Sequence, residues 1–280
     1  MTANILFKRF NSFGDLADFA GQRPFATGCD YDSSQSPTDD DFNVISFDDA
    51  LAIARAGGRW DSGAQLMKTA ALAIDNARPQ QKPRYKPSYA GARPSIPRLL
   101  AGASRHMVTR TKTPTAHRVI KLGVNVSKSW RVTQEESINR GAAILSLIHD
   151  LESTGDRVEL YATLVVADSN QKNVLHYELL LKPAAAFFSA HDLAFALCHV
   201  DFLRRLIFAV SELHAAENAA ARKVLADGYG GSYRNESQEI GAGYDVYFDR
   251  LTDGGLYTTP AQALNTINNM TALQITERAA

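Results

Sequence analysis

Thirteen basic side chains follow one another with no acid between them: Arg78, Lys82, Arg84, Lys86, Arg93, Arg98, Arg105, Arg110, Lys112, Arg118, Lys121, Lys128 and Arg131. Tyr85, Tyr89 and Trp130 stand among them, and Arg84-Tyr85-Lys86 and Trp130-Arg131 set a ring directly beside a cation. Cations at this density suit phosphate, which they attract through Coulomb energy and the release of its counterions. Interleaved rings suit bare base faces, which are open to stacking only where bases are unpaired. The chemistry expected here is recognition of single-stranded nucleic acid. Its expected carriers are Lys82, Arg84, Tyr85, Lys86, Tyr89, Arg93, Arg98, Arg110, Lys112, Arg118, Lys121, Lys128, Trp130 and Arg131. Two other readings compete: the segment pairs with the protein's own acidic surface, or it docks on an acidic protein partner.

The charge is sorted along the chain. Residues 1–77 carry six bases and eleven acids, and residues 132–280 carry eleven and nineteen. A formal net charge of zero over 280 residues therefore hides a stretch of +13 between flanks of −5 and −8. A membrane partner is not expected, because a Pro-rich stretch cannot form a basic amphipathic helix. No apolar run approaches the roughly 20 residues of a membrane span, and the start, MTANILFKRFNSFGDL, shows no signal-peptide core. Cys29 and Cys198 lie far apart and outside any CxxC, which speaks against a disulfide framework or a Cys-rich zinc site and for a cytoplasmic location.

Enzyme chemistry has thinner support. His149-Asp150, His191-Asp192 and Cys198-His199 are neighbours on expected helices, where adjacent side chains diverge. Cys198 reads as a buried thiol and His199 as a satisfied boundary imidazole. Asp156 and Glu159 lack the clustered carboxylates of a metal-dependent nuclease, which stays a second alternative. Gly228-Tyr229-Gly230-Gly231 and Gly241-Ala242-Gly243 read as turns rather than phosphate loops. No catalytic residue, metal or cofactor is expected.

These residues need elements to hold them. Ser12 and Ser46, each followed three residues on by an acid, predict helices over 13–20 and 47–56, with another over 62–76 and a strand over 43–46. The acidic stretch 31–41 reads as a solvated loop. Five prolines between Pro79 and Pro97 exclude a helix or central strand, leaving an extended basic arm with a short helix over 96–101. Alternation predicts strands over 117–127, with a bulge near Gly123, and over 157–167, 173–182 and 244–249. Thr133 and Glu136 form a capping box for a helix with Gly155 beyond its end. A long buried helix runs from 189 or 192 to about 221, with Arg204-Arg205 on a solvated rim, and a terminal helix spans 259–272. The order from 117 to 249, β-α-β-β-α-β, predicts an α+β fold with a ferredoxin-like body. Three regions follow: an acidic α-rich front at 1–77, a basic Pro-rich arm at 78–116, and an α+β body with C-terminal helix at 117–280.

Ser46-Phe47-Asp48-Asp49-Ala50-Leu51-Ala52-Ile53-Ala54-Arg55-Ala56-Gly57, Arg140-Gly141-Ala142-Ala143 and the run from Ala190 to Phe208 resemble a group of proteins found mainly in bacteriophages. The chain is also similar to the single-stranded-DNA-binding transcription cofactors of phages that carry a virion RNA polymerase. This resemblance implies single-stranded DNA as ligand, recruitment of a phage RNA polymerase or another transcription or replication protein, and the host cytoplasm as location. It assigns no site residue. The rival expectation is a phage structural or interaction protein whose basic segment docks an acidic face.

Overall fold

The computed structural model describes residues 3–22, 32–39, 44–77, 85–90, 93–110, 118–187, 189–226, 228–252 and 255–279. Two compact units share the chain: Met1–Asn76 with Arg118–Ala280, and Ala77–His117. The acidic front thus belongs to the same unit as the body, and the reason is a strand that alternation did not announce. Residues Asn4–Phe10 form β1, then α1 (Phe13–Ala20), α2 (Phe47–Arg55) and α3 (Asp61–Ala77) follow. Ser12 Oγ accepts from Asp15 N at 3.1 Å and Ser46 Oγ from Asp49 N at 3.1 Å, so both helices start where the caps lie. No strand forms over 44–46, where the chain instead leads into the Ser46 cap; residue 43 lies outside the described residues.

The small unit holds β2 (Tyr85–Ser88), β3 (Arg93–Pro94), α4 (Ile96–Leu100) and β4 (Met107–Arg110). Its sheet has the order β2-β4-β3, both pairs antiparallel. Strands therefore form in a stretch whose prolines pointed to an extended arm. They are short, and Pro87 and Pro94 sit on the two outer strands, where a missing N–H costs least.

The large unit continues with β5 (Val119–Asn125), α5 (Gln134–Ser153), β6 (Arg157–Ala167), β7 (Asn173–Lys182), α6 (Ala190–Cys198), α7 (Phe208–Glu217), α8 (Ala219–Ala226), β8 (Val246–Phe248) and α9 (Pro260–Ala279). The expected capping box opens α5: Glu136 N donates to Thr133 Oγ1 at 3.2 Å and Thr133 N to Glu136 Oε2 at 2.9 Å. Gly155 takes φ 106° just past the helix end, a value that favours glycine.

The sheet order is β1-β7-β6-β5-β8, mixed and mostly parallel. The fold is α/β, and the ferredoxin-like expectation is wrong for a topological reason. A split βαβ needs β7 to slot between β5 and β6. Here β5 and β6 pair directly and in parallel from Val119↔Arg157 to Asn125↔Thr163, leaving no gap. β7 lies outside β6, and β1 takes its other edge in parallel. β8 joins β5 in parallel. The pairing of β5 runs through Gly123 without a bulge; the irregularity falls between Leu160 and Tyr161, in the β6–β7 pair.

One sheet face is packed by helices in two core clusters. Phe10, Leu164, Tyr177 and Leu179 meet α1, α2, α7 and α8 residues such as Leu16, Ala50, Val210 and Leu225. Ile120, Leu122, Leu160 and Phe248 meet Met67, Ile144, Leu193 and Ile267. The other face carries Tyr161, Val165 and Val174 under Tyr233, Ile240 and Tyr244.

The long helix expected from 189 is broken. His199 is extended (φ −79°, ψ 130°), a π-helical stretch follows at Phe202–Ile207, and Asn218 (φ −127°, ψ 119°) separates α7 from α8. The breaks accompany buried polar anchors. Arg205, fully buried, donates to the carbonyls of Ile45 (2.8 Å), Ser34 (3.0 Å) and Ser36 (2.7 Å). Asp201 accepts from Ile45 N at 2.9 Å, and Glu212 accepts from Ser34 N at 2.9 Å. Arg205 is therefore no rim residue, and Ser33–Gln35, in the acidic stretch, is pinned to the core rather than solvated.

Candidate nucleic-acid interface

The small unit has an unusual balance of forces. Residues 77–117 carry nine Lys/Arg and no acid. Among its described residues no side chain is buried. Three strands of two to four residues, with no buried side chain among those described, are marginal on their own. Backbone pairing holds them in register: Tyr85 opposes Arg110, Lys86 opposes Thr109, and Arg93 opposes Val108.

Tyr89 follows β2 and is 67% exposed. The Arg105 guanidinium lies 5.0 Å from its ring centre, so a cation covers part of an otherwise open aromatic face. Arg98 stands exposed on α4. Among the described residues neither Arg98 nor Arg105 has an ion-pair partner. Ile96, Leu99 and Leu100 on the same short helix are exposed as well. Arg105, which the list of expected carriers omitted, is the cation that meets Tyr89; only its place in the basic run marked it.

Five of the remaining expected carriers have distinct settings in the large unit. Trp130 is 73% exposed, in the turn before α5, with the Arg131 guanidinium 5.1 Å from its ring centre. Arg118 is exposed and faces Asp156 at 3.9 Å, so part of its charge is answered within the chain. Lys121 lies over the rings of Tyr161 and Tyr244, with Nζ 4.9 and 4.4 Å from their centres. It sits in a polar cluster on the less covered sheet face, where Glu178 accepts from Arg9 Nε at 2.6 Å and from Tyr244. Lys128 is partly buried beside Ser137, 3.2 Å away, and its ammonium is pushed below its ordinary value, chiefly by burial. Lys121 and Lys128 are thus held inward. Lys82, Arg84 and Lys112 lie outside the described residues. So do the side chains of Tyr85, Lys86, Arg93 and Arg110, whose backbones form β2, β3 and β4.

Three of the residues weighed for enzyme chemistry have defined surroundings. Cys198 is buried against Met67, and its thiol is pushed up to about 12, chiefly by burial. His199 packs edge-on to Trp60 at 4.5 Å, and burial with the neighbouring Lys128 lowers it to about 4. His191 bonds Asp61 and Lys68, both at 2.7 Å. Among the described residues no three His, Cys, Asp or Glu side chains are grouped to hold a metal ion, and no helix is long and apolar enough to cross a membrane.

The resembling segments acquire physical roles. Arg140 donates to Asn125 O (2.9 Å), Phe248 O (3.2 Å) and Asp249 O (2.6 Å), closing the ends of β5 and β8. A Cβ on Gly141 would stand 2.6 Å from Cys198 Sγ, so the backbone of α5 can approach α6 only without a side chain there. No curated protein and no solved structure matches the chain. A family model covers residues 1–270, and the chain belongs to that family, described as a domain of unknown function (DUF7192).

Proposed function

We propose that the protein binds single-stranded nucleic acid, DNA in preference to RNA, through the unit Ala77–His117. The observation that carries this reading is the state of its cations. Arg98 and Arg105 are exposed in a unit that holds no acid of its own, and the ring of Tyr89 accompanies them. Phosphate supplies the missing negative charge, and an unpaired base supplies the second face for the ring. Trp130 with Arg131 offers the same ring-and-cation chemistry in the large unit. Binding without chemistry is the expected mode, so the bound strand stays intact in Mg²⁺.

A second reading has one specific observation behind it. Ile96, Leu99 and Leu100 expose apolar surface beside Arg98, which suits a protein with an acidic, partly apolar face. In the combined reading the protein tethers a polymerase or another transcription or replication protein to a single strand, in the host cytoplasm if a phage encodes it. Competition of labelled dT20 with unlabelled single-stranded DNA, duplex, RNA and heparin at fixed salt tests the primary reading. Single-stranded DNA should displace the probe at least tenfold more effectively than duplex of equal phosphate content. Equal displacement by all four polyanions would leave only a cation exchanger and refute it.

A further inference from the structure

At the carboxyl ends of β5 and β8, the large unit gathers two cations, Lys128 and Arg140, that meet no carboxylate at ion-pair distance among the described residues. Arg140, buried to 4% exposure, spends both Nη groups on three strand-end carbonyls, while its Nε meets no acceptor among the described residues. Lys128 Nζ has three donors and one acceptor there, Ser137 Oγ at 3.2 Å. Neither cation has a carboxylate within ion-pair distance among the described residues. Ser127 Oγ is also buried without a partner. Lys128, Ser137, Arg140, Cys198 and His199 line one shallow cleft, whose enclosed space is about that of a single water molecule.

Buried ammonium and guanidinium groups are costly unless paired, and two of them around one cleft compound the cost. The neighbouring groups relieve it only in part. Asp201 and Glu136 favour the Lys128 ammonium from beyond ion-pair distance, Arg204 opposes it, and Glu236 faces Arg140 in the same way. The Cys198 thiol stays protonated and His199 is neutral at pH 7. The place is also the one where parallel α/β sheets bind ligands, outside the carboxyl ends of the strands. The N-terminus of α5 adds little, because Glu135 and Glu136 occupy its first turn and Thr133 with Glu136 closes the capping box.

We propose that this cleft binds one phosphate group, with a single anionic oxygen entering to accept from Lys128 Nζ and from the Ser137 hydroxyl, which turns to it from the Thr133 carbonyl 3.1 Å away, and the remaining oxygens facing solvent. Size sets the depth of entry, since the enclosed space admits one oxygen and not a whole tetrahedral ion. The phosphate is either free or the terminal phosphate of a nucleotide. The site is separate from the basic unit and stands or falls without it.

The test uses the full chain and ³¹P NMR titration with inorganic phosphate, thymidine 5′-monophosphate and thymidine, with lysine side-chain NMR in parallel. Saturable phosphate binding is expected, weakened at least tenfold by Lys128→Met and severalfold by Ser137→Ala, with both variants folded. Tighter binding of the monophosphate than of inorganic phosphate assigns the site to a nucleotide end, and the reverse assigns it to the free ion. The Lys128 amine should titrate at higher pH when phosphate is bound, a change that a structural lysine would not show. Absence of saturable binding, or binding that survives Lys128→Met unchanged, overturns the proposal. Equal binding of thymidine and its monophosphate would also overturn it, because the phosphate would then contribute nothing.

Discussion

Removing the ring of Tyr89 separates stacking from charge more cleanly than any other single change. The side chain is 67% exposed, so Tyr89→Ala should alter folding stability by no more than about 1 kcal/mol. Among the described residues the ring meets the Arg105 guanidinium at 5.0 Å, a contact worth about 0.5–1 kcal/mol at an exposed site. Bound to a single strand, the same ring should stack on a base at about 1–3 kcal/mol. At about 1.4 kcal/mol per tenfold, the dissociation constant for dT20 should rise roughly 5- to 150-fold. Tyr89→Phe keeps the ring and should bind within about twofold of the parent. Fluorescence anisotropy with labelled dT20 at fixed salt reads both variants, and thermal melts confirm that neither is unfolded. Duplex binding, which offers no free base face, should change little. If Tyr89→Ala binds dT20 as tightly as the parent, the ring does not touch a base and only the charge argument remains.

Three other outcomes follow from the same structure. With no buried side chain among its described residues, the small unit should be nicked by trypsin within 78–98 before the 132–154 region is touched, and dT20 at saturation should slow that cut; resistance equal to that of α5 in the free protein would show a docked segment. Glu236 is held up to about 7, chiefly by burial, against an ordinary value of 4.5, so the unfolded chain binds fewer protons between those values. Its contribution to stability should fall by about 3 kcal/mol as pH rises from 4.5 to 7 and then level off. Because His176 and His199, both lowered to about 4, tilt stability the other way below 6.5, the readout is the urea-melt difference between the parent and Glu236→Gln; parallel profiles would refute the assignment. Gly141→Ala should destabilise by about 1–3 kcal/mol through overpacking against Cys198, and Cys198→Ala should restore part of it; a stabilised Gly141→Ala would mean that helix propensity outweighs the contact.

Local signals were readable in the residues, and long-range ones were not. Ser12, Ser46 and Thr133 mark helix starts because a cap is a contact three residues long. The β6–β7 hairpin is legible for the same reason, being two alternating runs with a polar turn. Strand β1 escaped, although Ile5, Leu6 and Phe7 favour a strand, because Lys8 and Arg9 blur its apolar pattern and its partner lies some 170 residues away. Lys8 settles over the Phe19 ring and Arg9 bonds Glu178, contacts that only the assembled sheet supplies. Strand order was hidden likewise: nothing local tells β7 to pair outside β6 rather than between β6 and β5. Arg205 reads as a rim charge, since the carbonyls that bury it come from distant segments. In the candidate interface, the density of charge in 77–117 could be read directly, and so could the rings among it. The inward turn of Lys121 and Lys128 could not, because it depends on Tyr244 and Ser137 arriving from other elements.

The central claim is that phosphate neutralisation by the small unit carries single-strand binding, and a salt series tests it most directly. With about five phosphate contacts, log K for dT20 against log salt should fall with a slope of roughly −3.5. Changing Lys86, Arg98 and Arg105 together to Ala removes about three of those contacts, and the slope should flatten to roughly −1.4 as binding weakens on every sequence alike. Tight binding with a slope near zero, or a slope untouched by the triple change, would contradict the account.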